Sequence, residues 1–337
     1  MRKTWQTRDF EFCLSSREVL LHSDIRHLIN INQKGSKVGR SSQKRGKQMA
    51  KNRGKKLRGF LERKRLLVVP GVYDALTAKI GQYCGFSALY MTGYGTAASH
   101  GYPDFGLLTM SEMLENVRRI TDSVDIPLIA DADTGYGNAV NVYRTVREYE
   151  RAGAAAIQLE DQTWPKRCGH MEGKRVIPRE EMIAKIKAAV DARIYSETVL
   201  VIRTDAIATD GFEDALRRGE MYGEAGADIL FIEAPNPEQM REIPSRMTIP
   251  CLYNMALPND DIKIKDIEDM GYAMVIYPTM TLHAAIGGCL KMCNSLLEEG
   301  IYRGSKDMPF SFDQLNEFLG LDKYGELDRK FALKSDS

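Results

Sequence analysis

The chain has little of what holds exported or membrane proteins together. Its six cysteines stand far apart, at 13, 84, 168, 251, 289 and 293, three of them inside apolar stretches. Neither a disulfide framework nor a zinc spacing can be drawn through them, and a reducing, cytoplasmic setting is the expectation. No run of about 18 apolar residues exists, so membrane insertion is not expected. The opening residues lack the basic, then apolar, then small-residue order of a secretory signal, so export is not expected either. Charge of one sign is also missing: 47 Lys and Arg stand against 46 Asp and Glu, a net charge of +1. That balance excludes a global bias toward nucleic acid or acidic surfaces. What is present is a chain of 337 residues, 43% hydrophobic and 28% charged, long enough to bury one large core. Function has to come from sites and not from bulk charge.

Large apolar residues are nearly absent from Lys34 to Arg65 until Leu57, and Lys, Arg, Gly, Ser and Gln crowd there instead. Such a stretch cannot offset its own ordering entropy. Residues 1–57 therefore read as a basic, disordered tail, with an RNA-binding arm as the alternative of another class. Asp9, Glu11, Glu18 and Asp24 argue against an organelle-targeting segment, because transit peptides are poor in acids. Residues 58–337 read as the folded domain.

From Leu66 onward, short β-branched and apolar runs alternate with helical segments, which predicts parallel strands joined by crossover helices. The expected strands are Leu66 to Val69, Ala88 to Met91, Leu128 to Ala130, Ala156 to Leu159, Leu200 to Ile202, Ile229 to Ile232, Cys251 to Tyr253 and Met274 to Tyr277. Their apolar character fits strands covered on both faces. Eight such units close a (β/α)8 TIM-type barrel. Ser111, Pro178 and Pro237 mark helix starts, and Gly85, Gly153, Gly226 and Gly271 mark helix ends. After the last strand, helices are expected at Thr281 to Glu299, Phe312 to Phe318 and Tyr324 to Phe331, more than a barrel needs.

In a barrel the polar residues at the carboxyl ends of the strands form the site. Here they are Thr92, Gly93, Tyr94 and Asp104 after strand two, Asp131 and Asp133 after strand three, and Glu160 and Asp161 after strand four. Arg203 and Asp205 follow strand five, Glu233 strand six and Asn254 strand seven. Carboxylates converging at one mouth must be paired, protonated or metal-bound. The oxygen-only set points to a hard cation, with Asp131 as direct ligand and Asp104, Asp133 and Glu160 holding its waters. The loop Lys166, Arg167, Cys168, Gly169, His170 opens a long insert of the kind that covers a barrel mouth. A cysteine preceded by two cations and followed by a histidine suits proton delivery near neutral pH.

Four phrases, Val-Pro-Gly-Val-Tyr-Asp-Ala-Leu at 69–76, Asp-Ala-Asp-Thr-Gly-Tyr-Gly-Asn at 131–138, Leu-Glu-Asp-Gln at 159–162 and Lys-Arg-Cys-Gly-His at 166–170, carry a resemblance. Over roughly Phe60 to Phe331 the chain resembles the isocitrate lyase and phosphoenolpyruvate mutase superfamily. The cysteine loop is most similar to the branch of methylisocitrate lyase, dimethylmalate lyase, oxaloacetate hydrolase and carboxyphosphonoenolpyruvate mutase. The resemblance implies magnesium, with manganese as the substitute, and an enolate-like intermediate. It implies a carbon–carbon lyase acting on a small 2-hydroxy di- or tricarboxylate, with a phosphonomutase or oxaloacetate hydrolase as alternatives. By the same resemblance Cys168 is the general acid, Tyr90, Arg203 and His170 serve the reacting end, and Thr92, Gly93, Tyr94 and Gly169 hold the oxo-acid carboxylate and the loop. Glu233 and Asn254 face the second carboxylate or leaving group. A homodimer or homotetramer with exchanged carboxyl-terminal helices is also implied. One stretch departs from the family pattern: Asn254 is followed by Met255, Ala256, Leu257, Pro258, Asn259 and Asp260, where a glutamate and glycines are usual.

Overall fold

The computed structural model describes residues 52–63, 65–169, 171, 173–257, 261–300 and 310–332. The expectations for residues 1–51, the RNA-binding arm among them, and for His170 lie outside the described residues. Eight parallel strands close on themselves: β1 (Leu67–Val72), β2 (Leu89–Met91), β3 (Leu128–Asp131), β4 (Ala156–Glu160), β5 (Val199–Thr204), β6 (Ile229–Ile232), β7 (Cys251–Asn254) and β8 (Met274–Tyr277). β1 pairs with β8 through Leu67 and Met274, which completes the barrel. All eight expected strands are present, but several run further than the apolar runs suggested, because the ladder continues into Asp131, Glu160, Thr204 and Asn254.

Side chains alternate between the two faces of each strand. Leu128 and Ala130, Ile157 and Leu159, and Leu200 and Ile202 face the surrounding helices. Val69, Ile129, Ala156, Val201, Ile229, Phe231, Leu252 and Met274 fill the interior. The next inward positions on β3, β4, β5, β6 and β7 are Asp131, Gln158 and Glu160, Arg203, Glu233 and Asn254. Each inward stripe is thus apolar at its amino end and polar at its carboxyl end, and this delivers the charged groups to one mouth.

Helix α1, residues 52–61, closes the opposite end. Leu57 is fully buried in the interior cluster, with Phe60 and Leu61 packed beside it. Arg53 donates to the carbonyl oxygens of Thr121, at 2.8 Å, and Val124. Arg58 donates to the carbonyls of Glu197 and Thr198, both at 3.0 Å, and pairs with Asp228 at 2.9 Å. Ordered structure therefore reaches back past the boundary expected at residue 58, because Leu57 and two basic side chains find partners that only the closed barrel supplies.

The crossovers are α2 (Ala75–Tyr83), α3 (Gly93–Ser99), α4 (Met110–Ser123), α5 (Ala139–Arg151), α6 (Arg179–Ala192), α7 (Phe212–Glu224), α8 (Pro237–Arg246) and α9 (Ile264–Asp269). Thr109 caps α4 in a reciprocal pair with Glu112, and Ser111 lies in the first turn as expected. The glycines expected at helix ends have the left-handed backbone that ends a helix, as at Gly153 with φ 95° and Gly226 with φ 112°. After β8 come α10 (Met280–Glu299), α11 (Phe312–Leu319) and α12 (Leu321–Phe331). Leu282 is the one buried residue of α10, while Ile286, Leu290, Leu296 and Leu297 are exposed. No described helix is long and apolar enough to cross a membrane.

Candidate active site

A cavity of about 150 Å³ opens at the carboxyl ends of the strands. Tyr90, Thr92, Tyr94, Asp104, Asp131, Cys168, Gly169, Arg203, Glu233 and Asn254 line it, ten residues picked out from the sequence and brought to one place. Its other wall is apolar: Phe231, Ala256, Leu257, Ile276 and Pro278.

Asp131, the last residue of β3, is held by three donors at the mouth. Its Oδ2 accepts from the Gly93 amide at 3.2 Å and the Tyr90 hydroxyl at 3.3 Å, and its Oδ1 accepts from the Asp133 amide at 3.0 Å. Gly93 can approach this closely only without a side chain, since a Cβ there would lie 2.7 Å from Asp131 Oδ2. The Gly93 amide opens α3, a helix the sequence pattern did not reveal, so the positive end of a helix faces the carboxylate.

Lys166 answers the crowding of the other acids. Its Nζ lies 2.6 Å from Asp104 Oδ1 and 3.0 Å from Asp133 Oδ1. Burial alone would lower this ammonium, but Asp133, Asp104, Glu160 and Asp131 outweigh it and hold its pKa well above the usual lysine range. Burial pushes Asp133 up to about 6 against the pull of Lys166. Burial also raises Glu160 well above the usual carboxylate range, against the pull of Arg203. Glu160 Oε1 is buried with no hydrogen-bond partner. The two cations before Cys168 are thus turned to other tasks: Lys166 joins the acids, and the Arg167 guanidinium lies 5.1 Å from the Phe105 ring centre.

Arg203 is held in a fork by Asp205, Nε to Oδ2 at 2.8 Å and Nη2 to Oδ1 at 2.9 Å, over the face of Phe231. Gly169 is pressed against this pair, since a Cβ there would lie 2.3 Å from Glu233 Oε1 and 2.5 Å from Arg203 Nη2. Asn254 Nδ2 points at Glu233 Oε2, 3.1 Å away, which leaves Asn254 Oδ1 buried without a partner. The amide nitrogen is therefore committed to Glu233. Buried Asp161 stands apart from the mouth and ties Thr204, Arg218 and Tyr222 together. Cys251 on β7 is a contrast to Cys168: burial pushes its thiol up to about 12, and it does not line the cavity.

Three contributors were not picked out in the sequence. Gln158 accepts from the Tyr90 hydroxyl at 3.2 Å, and a polar residue inside the apolar run Ala156–Glu160 was a readable signal. Lys174 bonds Gly169 O and Asp205, and nothing in its local sequence separates it from other loop lysines. His283, on α10, lines the cavity from beyond the barrel.

For a cation, the oxygen donors fit one mode of binding. Among the described residues no three acidic, histidine or cysteine side chains converge on a single point. The donors present are Asp131 on the cavity wall and the unpartnered, buried Oε1 of Glu160, oxygens of the kind a hard cation takes.

The family model for phosphoenolpyruvate phosphomutase matches residues 57–297. The chain is 46% identical to 2,3-dimethylmalate lyase of Eubacterium barkeri, over 83% of this chain and 99% of that protein. It is 40% identical to 2-methylisocitrate lyase of Aeropyrum pernix, over 83% and 91% of the two chains. It is 42% identical to the chloroplastic carboxyvinyl-carboxyphosphonate phosphorylmutase of Arabidopsis thaliana, over 81% and 83%. Among solved structures, a 2,3-dimethylmalate lyase superposes with a TM-score of 0.78 at 37% identity, covering 84% of this chain and 96% of that one. A phosphonopyruvate hydrolase in complex with oxalate and magnesium does so at 0.75 and 32%, covering 83% and 99%.

Proposed function

This chain belongs to the phosphoenolpyruvate phosphomutase family, within the isocitrate lyase and phosphoenolpyruvate mutase superfamily, and from that premise we propose a magnesium-dependent carbon–carbon lyase. Its substrate is a small 2-hydroxy di- or tricarboxylate, cleaved to a 2-oxo acid and a second carboxylate. The observation that carries this reading is the placement of Cys168 on the wall of the cavity that Asp131 and Arg203 also line.

Asp131 would hold the cation, magnesium first and manganese as substitute, with Asp104, Asp133 and Glu160 around its waters. When bound, the cation supplies positive charge that lowers the pKa of the substrate hydroxyl. The protein's own groups account for the rest. Burial, with Asp131 nearby, raises the Tyr90 hydroxyl well above the ordinary phenol. Cleavage needs an acceptor for the substrate hydroxyl proton, and the candidates are Tyr90, whose hydroxyl lies 3.3 Å from Asp131, and a water held at the mouth. Thr92, Gly93 and Tyr94 orient the oxo-acid carboxylate. Arg203, rigid in its fork with Asp205, faces the charge that builds on the departing fragment. Cys168 delivers a proton to that fragment's carbon. Asn254 Oδ1 and the Glu233 carboxylate offer acceptors, so this corner orients a donor or a protonated group.

The decisive experiment is incubation of the purified protein and magnesium with methylisocitrate, dimethylmalate, isocitrate, oxaloacetate and phosphonopyruvate. Release of pyruvate or glyoxylate from a hydroxy acid supports the lyase. Formation of phosphoenolpyruvate from phosphonopyruvate, with no cleavage of any hydroxy acid, overturns it in favour of the mutase reading that the Arabidopsis relative supports. Oxalate release from oxaloacetate alone overturns it in favour of the hydrolase.

The same reading includes a homodimer or homotetramer, supported by the exposed apolar face of α10. A monodisperse monomer by light scattering at micromolar concentration overturns it. A cytoplasmic setting is supported by Cys84, Cys168, Cys251, Cys289 and Cys293, none of which forms a disulfide among the described residues.

A further inference from the structure

The loop between β4 and α6 is tied at its base, where Gln162 bridges Val176 and the Thr163 amide donates to Arg175 O at 2.8 Å. Beyond that base, two lysines fasten it to opposite sides of the mouth. Lys166 reaches Asp104 and Asp133 on the β2 and β3 side. Lys174 reaches the β5 side, where its Nζ donates to Gly169 O at 2.6 Å and to Asp205 Oδ1 at 2.9 Å. Asp205 Oδ1 also accepts from Arg203 Nη2 at 2.9 Å, and the Asp205 amide donates to Asp161 Oδ1 at 3.0 Å. The Lys174 side chain is 4% exposed and that of Asp205 is 0% exposed. Neither residue lines the cavity.

We propose that Lys174 and Asp205 are positioning residues that latch the Cys168 loop onto Arg203 and set the charge of that corner. Three observations meet here. Lys174 fixes the carbonyl of Gly169, the residue next to Cys168, so the latch sets where the thiol sits. Gly169 packs so tightly on Arg203 and Glu233 that the thiol's position and the guanidinium's cannot vary independently. The charge count supplies the third. Asp205, Glu160 and Glu233 lie 2.8, 3.4 and 3.9 Å from the Arg203 guanidinium, an excess of buried carboxylates over one cation. Lys174 is the second cation of this corner, and by taking a share of Asp205 it leaves Arg203 more positive charge to turn toward an anion in the cavity.

This inference rests on the proposed lyase activity for its kinetic arm, and not for its structural one. In the full-length protein with magnesium, Lys174→Met should lower kcat by about 10²-fold, the scale of losing one preorganised electrostatic group. KM should move by no more than about threefold, because the interaction is used mainly in the transition state. Lys174→Arg, which keeps the charge, should recover most of the rate. Independently of any turnover, Lys174→Met should speed trypsin cleavage after Arg167 by about tenfold in a protein whose circular dichroism and melting temperature match wild type, since local opening is then easier. Asp205→Asn should release the same cleavage. Wild-type rate together with wild-type proteolysis in Lys174→Met overturns the latch. Faster proteolysis with a raised KM, full kcat and no rescue by arginine overturns the charge role. If wild type cleaves nothing in the substrate panel, the lyase reading fails, while the proteolysis comparison still decides the latch.

Discussion

At the amino ends of the strands α1 drives Leu57 into a cluster with Leu67, Val69, Ile129, Val199 and Met274, whereas at the carboxyl ends the same inward rows finish in Tyr90, Asp131, Glu160, Arg203, Glu233 and Asn254. The floor meets its polar demands with the donations of Arg53 and Arg58 to carbonyls, leaving Arg53 Nε, among the described residues, as its one unpartnered buried side-chain atom. The mouth leaves Gln158 Nε2, Glu160 Oε1 and Asn254 Oδ1 buried and unpartnered. Buried polar atoms without partners cost stability, and they persist where a ligand completes them. The difference teaches that one stripe of side chains serves two purposes, cohesion at one end and chemistry at the other.

Substitutions at the two ends should therefore separate activity from stability. The largest effect is expected from Asp131→Ala, which should cut turnover by about 10³-fold or more through loss of the proposed cation ligand. Its melting temperature should change by no more than about 5 °C, as differential scanning calorimetry would report, because relief of the repulsion between Asp131 and buried Asp133 offsets the three donors left without an acceptor, and full activity in excess chelator would sink the assignment. Cys168→Ser comes next. It should lower kcat on a carbon–carbon substrate by about 10²- to 10³-fold with KM little changed, because a hydroxyl is a far weaker acid than a thiol. Phosphoryl migration needs no proton at that carbon, so the same variant assayed on a phosphonate sharpens the class as well as the role.

At the floor the signs reverse. Leu57→Ala should cost about 2–5 kcal/mol of stability in urea unfolding, the range for a fully buried leucine, with kcat/KM unchanged in the folded fraction. A tenfold loss of kcat/KM there would break the separation of the two ends. The smallest effect is expected from Arg53→Met, about 1–3 kcal/mol from two unpartnered buried carbonyls, again with no change in rate.

Much of this was legible in the chain itself. Strands buried on both faces must be apolar, so eight short apolar runs separated by helical segments are enough to specify the barrel. Helix ends were legible because a left-handed residue there favours glycine, as at Gly153 and Gly226. Asp131 and Cys168 were legible because they stand beside strand ends and in a charged loop, local facts that need no fold.

Other features had no local signal. Lys166 read as a neighbour of Cys168, yet it is the counter-ion of Asp104 and Asp133, 62 and 33 positions away by their numbers. Lys174 meets Asp205 across a span of 31 residues, and Arg58 meets Asp228 across 170. The amide of Asn254 has its direction fixed by Glu233, just past the end of the neighbouring strand β6. The amino-acid sequence by itself determined the barrel, the acidic mouth and the cysteine loop, because periodicity, backbone preference and strand-end position are properties of short segments. Only the tertiary structure decided which charges pair, which way a side-chain amide points and that residues 52–61 plug the floor, because through-space distance and burial exist only after the barrel has closed.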